Sequence, residues 1–318
     1  MSAGVTGGQL TFAVIGEALI DLAGSGDDEP WLARPGGSPY NVAIGLARLD
    51  RPTAFVGRIS RDPLGTILRN HAARSGVDLR QVVEAGEPTT LALVELAAGV
   101  AGYRFGVEGT ADFQWTDAEL ATSGAGATAV HFGSLASWTP PGAEVIARRV
   151  EQLRGTALIS YDPNVRPHLQ ADAVAARGEV EDAVRLADVV KTSDDDLDWV
   201  YPGVDPGDAA RGWLEMGTTL VVVTSGGEGS TAYAADRQVS CPARPVRVVD
   251  TIGAGDAFMS GLLDALAARG LLHVDALRTA SANQLGAVLS DASLVAALTC
   301  ARPGANPPRR AEVNAARD

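Results

Sequence analysis

Leu220-Val221-Val222-Val223-Thr224-Ser225-Gly226-Gly227-Glu228-Gly229 is a run of aliphatic residues that stops in hydroxyls and glycines. Its apolar part reads as a buried strand, and its end sets small polar groups at that strand's carboxyl terminus. In α/β sheets ligands bind at such ends, although Thr224 to Gly229 read alone is also a plain hairpin turn. Apolar runs bounded by turn residues recur at Phe12 to Ile15, Thr53 to Ile59, Ala129 to Leu135, Ala157 to Tyr161 and Val189 to Thr192. Helix-period segments separate many of them, the signature of βαβ units and a mostly parallel sheet. One large α/β domain over residues 1–318 is expected.

Local signals place several helix ends. Ser38-Pro39 and Asp62-Pro63 each set a capping side chain before a proline suited to the first helical position. Gly76 suits the end of the second of these helices. Two stretches break the alternation: Ala23 to Pro35, rich in Gly, Asp and Pro, and Thr89 to Val107. The latter alternates in part around a turn at Ala98 to Gly102 and reads as an antiparallel hairpin, either a lid or an edge element without further consequence. The Pro- and Arg-rich end, Arg302 to Asp318, reads as irregular.

Composition narrows the functions. With 46% hydrophobic and 20% charged residues the chain buries a large core, and a net charge of -13 repels polyanions. No basic patch interrupts that field, so nucleic acid and anionic membrane are not expected as partners, and a small molecule is. Cys241 and Cys300 are far apart and outside any CxxC spacing, which indicates neither a disulfide framework nor a zinc site. Met1 to Gln9 lacks basic residues and an apolar stretch, and no segment offers the ~18 apolar residues of a membrane span. A cytoplasmic location is expected. His71, His131, His168 and His273 are scattered without ligand spacing and read as surface or satisfied core residues.

The densest chemical signal is Gly253-Ala254-Gly255-Asp256-Ala257-Phe258, a Gly-rich turn feeding a helical pattern. Free amides at a helix start attract phosphate, and glycines let backbone approach an anion. The positive helix end would keep Asp256 ionised and able to take a proton from an alcohol. The plainer reading is an aspartate that complements the helix dipole beside a structural turn. The cluster Asp194, Asp195, Asp196 and Asp198 would hold Mg2+ through water or start a solvated helix. Asp21, Gly36, Gly37 and Asn41 form a set suited to gripping sugar hydroxyls, and Asp162, Asn164 and Arg166 close another strand with polar groups. A dinucleotide loop fits Gly253-x-Gly255 poorly, because the third glycine or alanine is missing and Asp256 would repel a pyrophosphate. A Walker-type P-loop is absent from the sequence.

In this order and at these separations the segments resemble the PfkB-type, or ribokinase-like, sugar kinases over essentially the whole chain. Gly36-Gly37 with Asn41 is similar to that family's N-terminal signature, and Asp250 to Phe258 to its C-terminal one. The resemblance implies a three-layer sandwich with a mostly parallel central sheet and a small β lid, supplied here by about residues 22–36 and 88–108. It implies Asp256 as catalytic base, with the amides of Gly253, Ala254 and Gly255 as anion hole. Asp21, Gly36, Gly37 and Asn41 would bind sugar, and Thr224, Gly226 and Gly229 would lie beside the ATP phosphates with Gly255. Asp250 and the backbone of Ile252 would hold a monovalent cation, K+, and the lid would pair two subunits. Where the family reads Asn-x-x-Glu, this chain has Ser193-Asp194-Asp195-Asp196, so Asp196 would meet Mg2+ through water. The stretch Ala276 to Ser290 is longer than usual before a last helix at Ala292 to Cys300, where Ser293 is a candidate for the adenine wall.

Gly16 to Asp21 together with Asp162 to Arg166 resembles bacterial fructokinases most. Kinases of 2-keto-3-deoxygluconate share the pattern and use arginines against the substrate carboxylate, for which Arg104 and Arg166 are the candidates. Fructose ranks first. A sugar-binding regulator that has lost turnover is the reading of another class, and the intact Asp256 with both glycine signatures argues against it.

Overall fold

A computed structural model describes residues 10–24, 31–97, 100–167, 169 and 172–317, with backbone alone at 23–24, 94–97 and 100–104. His168 and the run Met1 to Gln9 lie outside the described residues.

Eight strands form the main sheet, in the spatial order Arg237–Cys241, Ser230–Ala234, Leu220–Thr224, Val189–Ser193, Leu158–Asp162, Ala129–Gly133, Phe12–Ile15, Thr53–Val56. The last six pair in parallel, and the first two add antiparallel to one edge. The period-two alternation of side chains divides each strand between two helical layers. Phe12 and Val14 join Tyr40, Ile44, Leu68, Phe258, Leu262 and Leu285, from helices Ser38–Arg48, Pro63–Ser75, Ala254–Ala268 and Ala282–Cys300. Ala13 and Ile15 join Ile146, Val150, Val184 and Trp213, from helices Gly142–Leu153, Ala173–Leu186 and Pro206–Glu215. Each of the larger aliphatic and phenylalanine side chains among these contributes roughly 1.5–3 kcal/mol by its burial. The three-layer α/β sandwich is therefore as expected.

A second sheet has four strands in the order Leu32–Gly36, Leu19–Gly24, Leu91–Ala97, Val100–Gly106. It starts earlier than the expected 22–36 segment, because Leu19 and Ile20 pair with Gly36 and Pro35. Strand register continues through Ala97 and Val100, so residues 100–102 of the expected turn at Ala98 to Gly102 are strand, and residues 98–99 lie outside the described residues. The run Thr53 to Ile59 is split at Gly57: Thr53–Val56 stays in the main sheet, and Arg58–Ser60 pairs with Val83–Ala85.

Two helix ends match their signals. Asp62 accepts from the Gly65 amide at 2.7 Å, a cap worth about 1 kcal/mol, and Gly76 ends that helix at φ 88°. Other expectations are corrected. Gly37, not Ser38, caps helix Ser38–Arg48, and the serine hydroxyl is used elsewhere. The last long helix runs from Ala282, ten residues earlier than expected, because Ser281 and Gln284 form a capping box there. Arg310–Ala315 is a short helix within the end that reads as irregular, started by the reciprocal bonds of Arg309 and Glu312. Among the described residues no helix is long and apolar enough to cross a membrane. His71 meets the Tyr40 hydroxyl, and His131 is buried with Nδ1 on Ser160.

Candidate active site

Helix Ala254–Ala268 begins at Gly253, in the left-handed conformation at φ 74°, and no side chain caps it. The Ile252 amide donates to Asp250 Oδ1 at 3.0 Å, and the Ala254 amide donates to the Thr251 carbonyl at 3.1 Å. Among the described residues no hydrogen bond takes the Gly253 or Gly255 amide, so these two donors are unpaired at the helix start. The glycines also answer to packing. An added Cβ at Gly253 would lie 2.6 Å from the Ala305 Cβ, and one at Gly255 would lie 3.0 Å from Lys191 Nζ.

Asp256 is the third residue of this helix and is buried. Ser38 Oγ donates to its Oδ1 at 2.6 Å, and Asn41 Nδ2 donates to its Oδ2 at 2.8 Å. Burial pushes its carboxyl above the usual range, opposed by the Ser38 and Asn41 bonds and by the charges of Lys191 and Arg166. Loss of solvent thus outweighs these favourable partners. An acid raised toward neutrality is a better proton acceptor from an alcohol.

Asp256 stands in a cleft of about 280 Å³ whose lining includes Glu17, Asp21, Gly37, Ser38, Asn41, Asn164 and Arg166. Asp21 is lifted to about 6, first by burial and then by the Asp256 charge, while Arg166 and Arg34 pull it down. Gly36 does not line the cleft; its missing side chain leaves room for the Asp21 carboxylate, which an added Cβ would strike. Arg166 Nη1 donates to Asn164 Oδ1 at 2.7 Å and to the Val165 carbonyl at 3.0 Å. Arg104 sits opposite Leu93 in the second sheet, and its side chain lies outside what is described.

A second cavity, of about 530 Å³, is lined by Thr224, Gly226, Gly229 and Ser293 among others, and shares Thr251, Ala254 and Gly255 with the first. The segment Thr224 to Gly229 is also a hairpin turn, since Leu220–Thr224 pairs antiparallel with Ser230–Ala234. The same residues thus make a turn and a cavity wall.

The remaining expected residues do other work. Asp196 closes a capping box with Ser193 at the start of helix Asp194–Val200, accepting the Ser193 and Val165 amides on its two oxygens. Neither residue lines either cavity. Asp250 spans the Ile252 amide and the Gly304 amide, at 3.0 and 2.7 Å, and so braces the turn. Ile252 lines the first cleft. Among the described residues no three His, Cys, Asp or Glu side chains cluster to hold a metal ion. Asp162 pairs with Lys191 instead of joining the cleft.

Sequence reasoning missed Glu17, Ser38 and Lys191. Glu17 accepts the Ser38 and Ala136 amides at 3.3 and 3.0 Å, and burial lifts it to about 7. A charged residue inside an apolar strand, as Lys191 is in Val189 to Ser193, was the available signal.

The profile of the pfkB family carbohydrate kinase matches residues 10–311. A fructokinase of Rhizobium leguminosarum bv. trifolii is 38% identical over 260 residues, 81% of this chain and 80% of the relative. A fructokinase of Xylella fastidiosa with bound ATP superposes with a TM-score of 0.85 at 28% identity, covering 96% of this chain and 98% of that one. A fructokinase double mutant of Vibrio cholerae O395, in fructose-, ADP- and potassium-bound form, gives 0.84 at 26% identity over 96% and 98%. With two cavities joined at an uncapped helix start and an acid on the floor of one, this chain belongs to the pfkB family of carbohydrate kinases: it is a sugar kinase.

Proposed function

We propose that the protein transfers the γ-phosphoryl group of ATP to a primary hydroxyl of fructose, with Asp256 as general base. The observation that carries this reading is the junction of the two cavities at Thr251, Ala254 and Gly255, with Asp256 in the smaller one. Sugar occupies the smaller cavity, held by Asp21, Gly37, Asn41, Asn164 and Arg166, with Gly36 making room for Asp21. ATP occupies the larger, against Thr224, Gly226, Gly229 and Ser293, with Ser193 nearby. The sugar oxygen attacks the γ-phosphorus, its proton passes to Asp256, and the bond to the β-phosphate oxygen breaks to release ADP. The Gly253 and Gly255 amides receive the charge that builds on the phosphoryl oxygens. Each Asp256 oxygen accepts one hydrogen bond and keeps one acceptor position, enough to take the sugar proton.

Fructose ranks above 2-keto-3-deoxygluconate as the sugar. The named fructokinases among the relatives support the same order.

Mg2+ bound with ATP would offset phosphate charge. Asp196 lines neither cavity, so its contact with the ion would run through water. A K+ ion behind the turn would use Asp250 and the backbone of Ile252, as each Asp250 oxygen carries one bond and has capacity for another. Exchange of K+ for tetramethylammonium should then lower turnover. The four-stranded sheet serves as a lid inserted in a single domain and as the contact of a cytoplasmic homodimer. Leu32 and Leu93 are exposed on it, by 54% and 37%, and Trp31, just before its strand Leu32–Gly36, by 43%. Sedimentation velocity checks the dimer.

The deciding experiment is sugar-dependent ADP release with fructose, other ketoses and aldoses, and 2-keto-3-deoxy acids. Asp256→Asn should bind both ligands and lose about 10²- to 10⁴-fold in turnover. Binding of sugar and ATP by the native chain without sugar-dependent ADP would turn the assignment to a regulator.

A further inference from the structure

Lys191 interrupts the aliphatic strand Val189–Ser193 and is buried, with 5% of its side chain exposed, against 1% for Asp162. Its Nζ donates to Asp162 Oδ2 at 3.0 Å. The ammonium also lies against the helix that carries Asp256, close enough that a Cβ on Gly255 would stand 3.0 Å from it. Asp162 Oδ1 is buried with no partner among the described residues. Strand alternation explains the direction: Val189 packs in the layer of helix Ala254–Ala268, and Lys191, two residues on, faces the same way. A buried ion pair is seldom the most stable filling for a sheet; apolar residues of similar volume often do better. An orphaned carboxylate oxygen makes this one costlier. Stability therefore does not account for the pair.

We propose that Lys191, held by Asp162, is a positioning residue that tunes the charge at Asp256: the ammonium under Gly255 favours the carboxylate form of the base, and Asp162 moderates it. The inference rests on the reading of Asp256 as general base. The charged groups around Asp256 are Lys191 and Asp162 from neighbouring strands of the main sheet, Arg166 from the loop after the second of these, Asp21 from the second sheet, and Glu17, which lines the same cleft and accepts the Ser38 amide. Asp196 bears on Lys191 from the helix that follows its strand. Ser38 and Asn41 supply the neutral donors.

The two members of the pair act on Asp256 with opposite sign, and this gives the test. The acid limb of kcat/KM for fructose, read by ADP release, reports the protonation of the base in the free enzyme. Lys191→Met removes the favourable charge, so the limb moves to higher pH. Asp162→Asn keeps an acceptor for Nζ while freeing the ammonium's field for Asp256, so the limb moves to lower pH. A displacement of about one pH unit in each case, a tenfold change in rate on the acid side, is expected. A pair that only supports the fold would lower the amplitude or the melting temperature of both variants and leave the limb in place. Should Lys191→Met fail to fold, Asp162→Asn alone decides, since an unmoved or upward limb in it overturns the proposal. Asp256→Asn separates the two layers of argument. If it retains turnover, the base assignment fails; if it loses turnover while both limbs stay fixed, this inference alone fails.

Discussion

Replacing Gly253 by alanine strikes the feature on which the site depends, and its cost has two separable parts. A residue with a Cβ pays roughly 1–2 kcal/mol to sit in the left-handed region, where Gly253 has φ 74°. The new methyl would also stand 2.6 Å from the Ala305 Cβ and 2.9 Å from the Ala305 Cα, and the second of these is backbone that yields only by moving the loop. Overpacking of this kind costs about 1–3 kcal/mol, for a total of about 2–5 kcal/mol. With an unfolding entropy of roughly 2.1 cal/mol/K per residue over 318 residues, that is a fall in Tm of roughly 3–7 °C. Gly76→Ala is the matched control. It has φ 88° and nothing within 4 Å of the added methyl, so only the conformational part applies, a fall of roughly 1.5–3 °C. The pair also separates function from fold. Gly253→Ala displaces the two free amides and should lose about 100-fold in turnover, whereas Gly76→Ala should turn over normally. Calorimetric melting and fructose-dependent ADP release on both proteins provide the check. If Gly253→Ala melts with Gly76→Ala and keeps its rate, the close approach of Ala305 and the dependence of catalysis on this turn are both refuted.

Ser38→Ala removes the 2.6 Å bond that lowers the Asp256 carboxyl, so the acid limb of kcat/KM should rise by roughly one pH unit; a limb that stays or falls contradicts the geometry. Asp112 is buried, accepts the Ala18 amide at 2.8 Å, and is lifted by burial from 3.8 to about 7. A raised carboxyl stabilises the fold while protonated, so its contribution is whole below about pH 4 and is lost as pH rises through 7. Asp112→Asn should therefore flatten the decline of stability between those limits, measured by urea melts at several pH values, and an unchanged slope would contradict it. Ala297→Phe places a ring in the larger cavity and should raise KM for ATP at least tenfold with KM for fructose unchanged; equal effects on both would undo the division of the two cavities.

Much of this molecule is legible along the chain. Six apolar runs, from Phe12 to Thr224, became six adjacent parallel strands, because a strand buried on both faces leaves an unmistakable local record. The glycine turn before Asp256 and the Gly36-Gly37 pair carry equally local constraints. Fine edges were less legible. The Thr53 to Ile59 run divides at Gly57 because two sheets compete for its halves, and the early start of helix Ala282–Cys300 depends on a capping box hidden in a polar stretch.

The composition, the strand pattern, the uncapped glycine turn and the acid that follows it were determined by the sequence alone, since each depends on neighbours a few residues away. Which groups surround that acid was decided only in three dimensions. Ser38 bonds Asp256 across 218 positions of chain, and Asn41 across 215. Lys191 and Asp162 meet beneath Gly255 because strand alternation turns both toward the same helix. Desolvation, which outweighs the Ser38 and Asn41 bonds and raises the Asp256 carboxyl, belongs to no residue: it is the absence of water that packing creates.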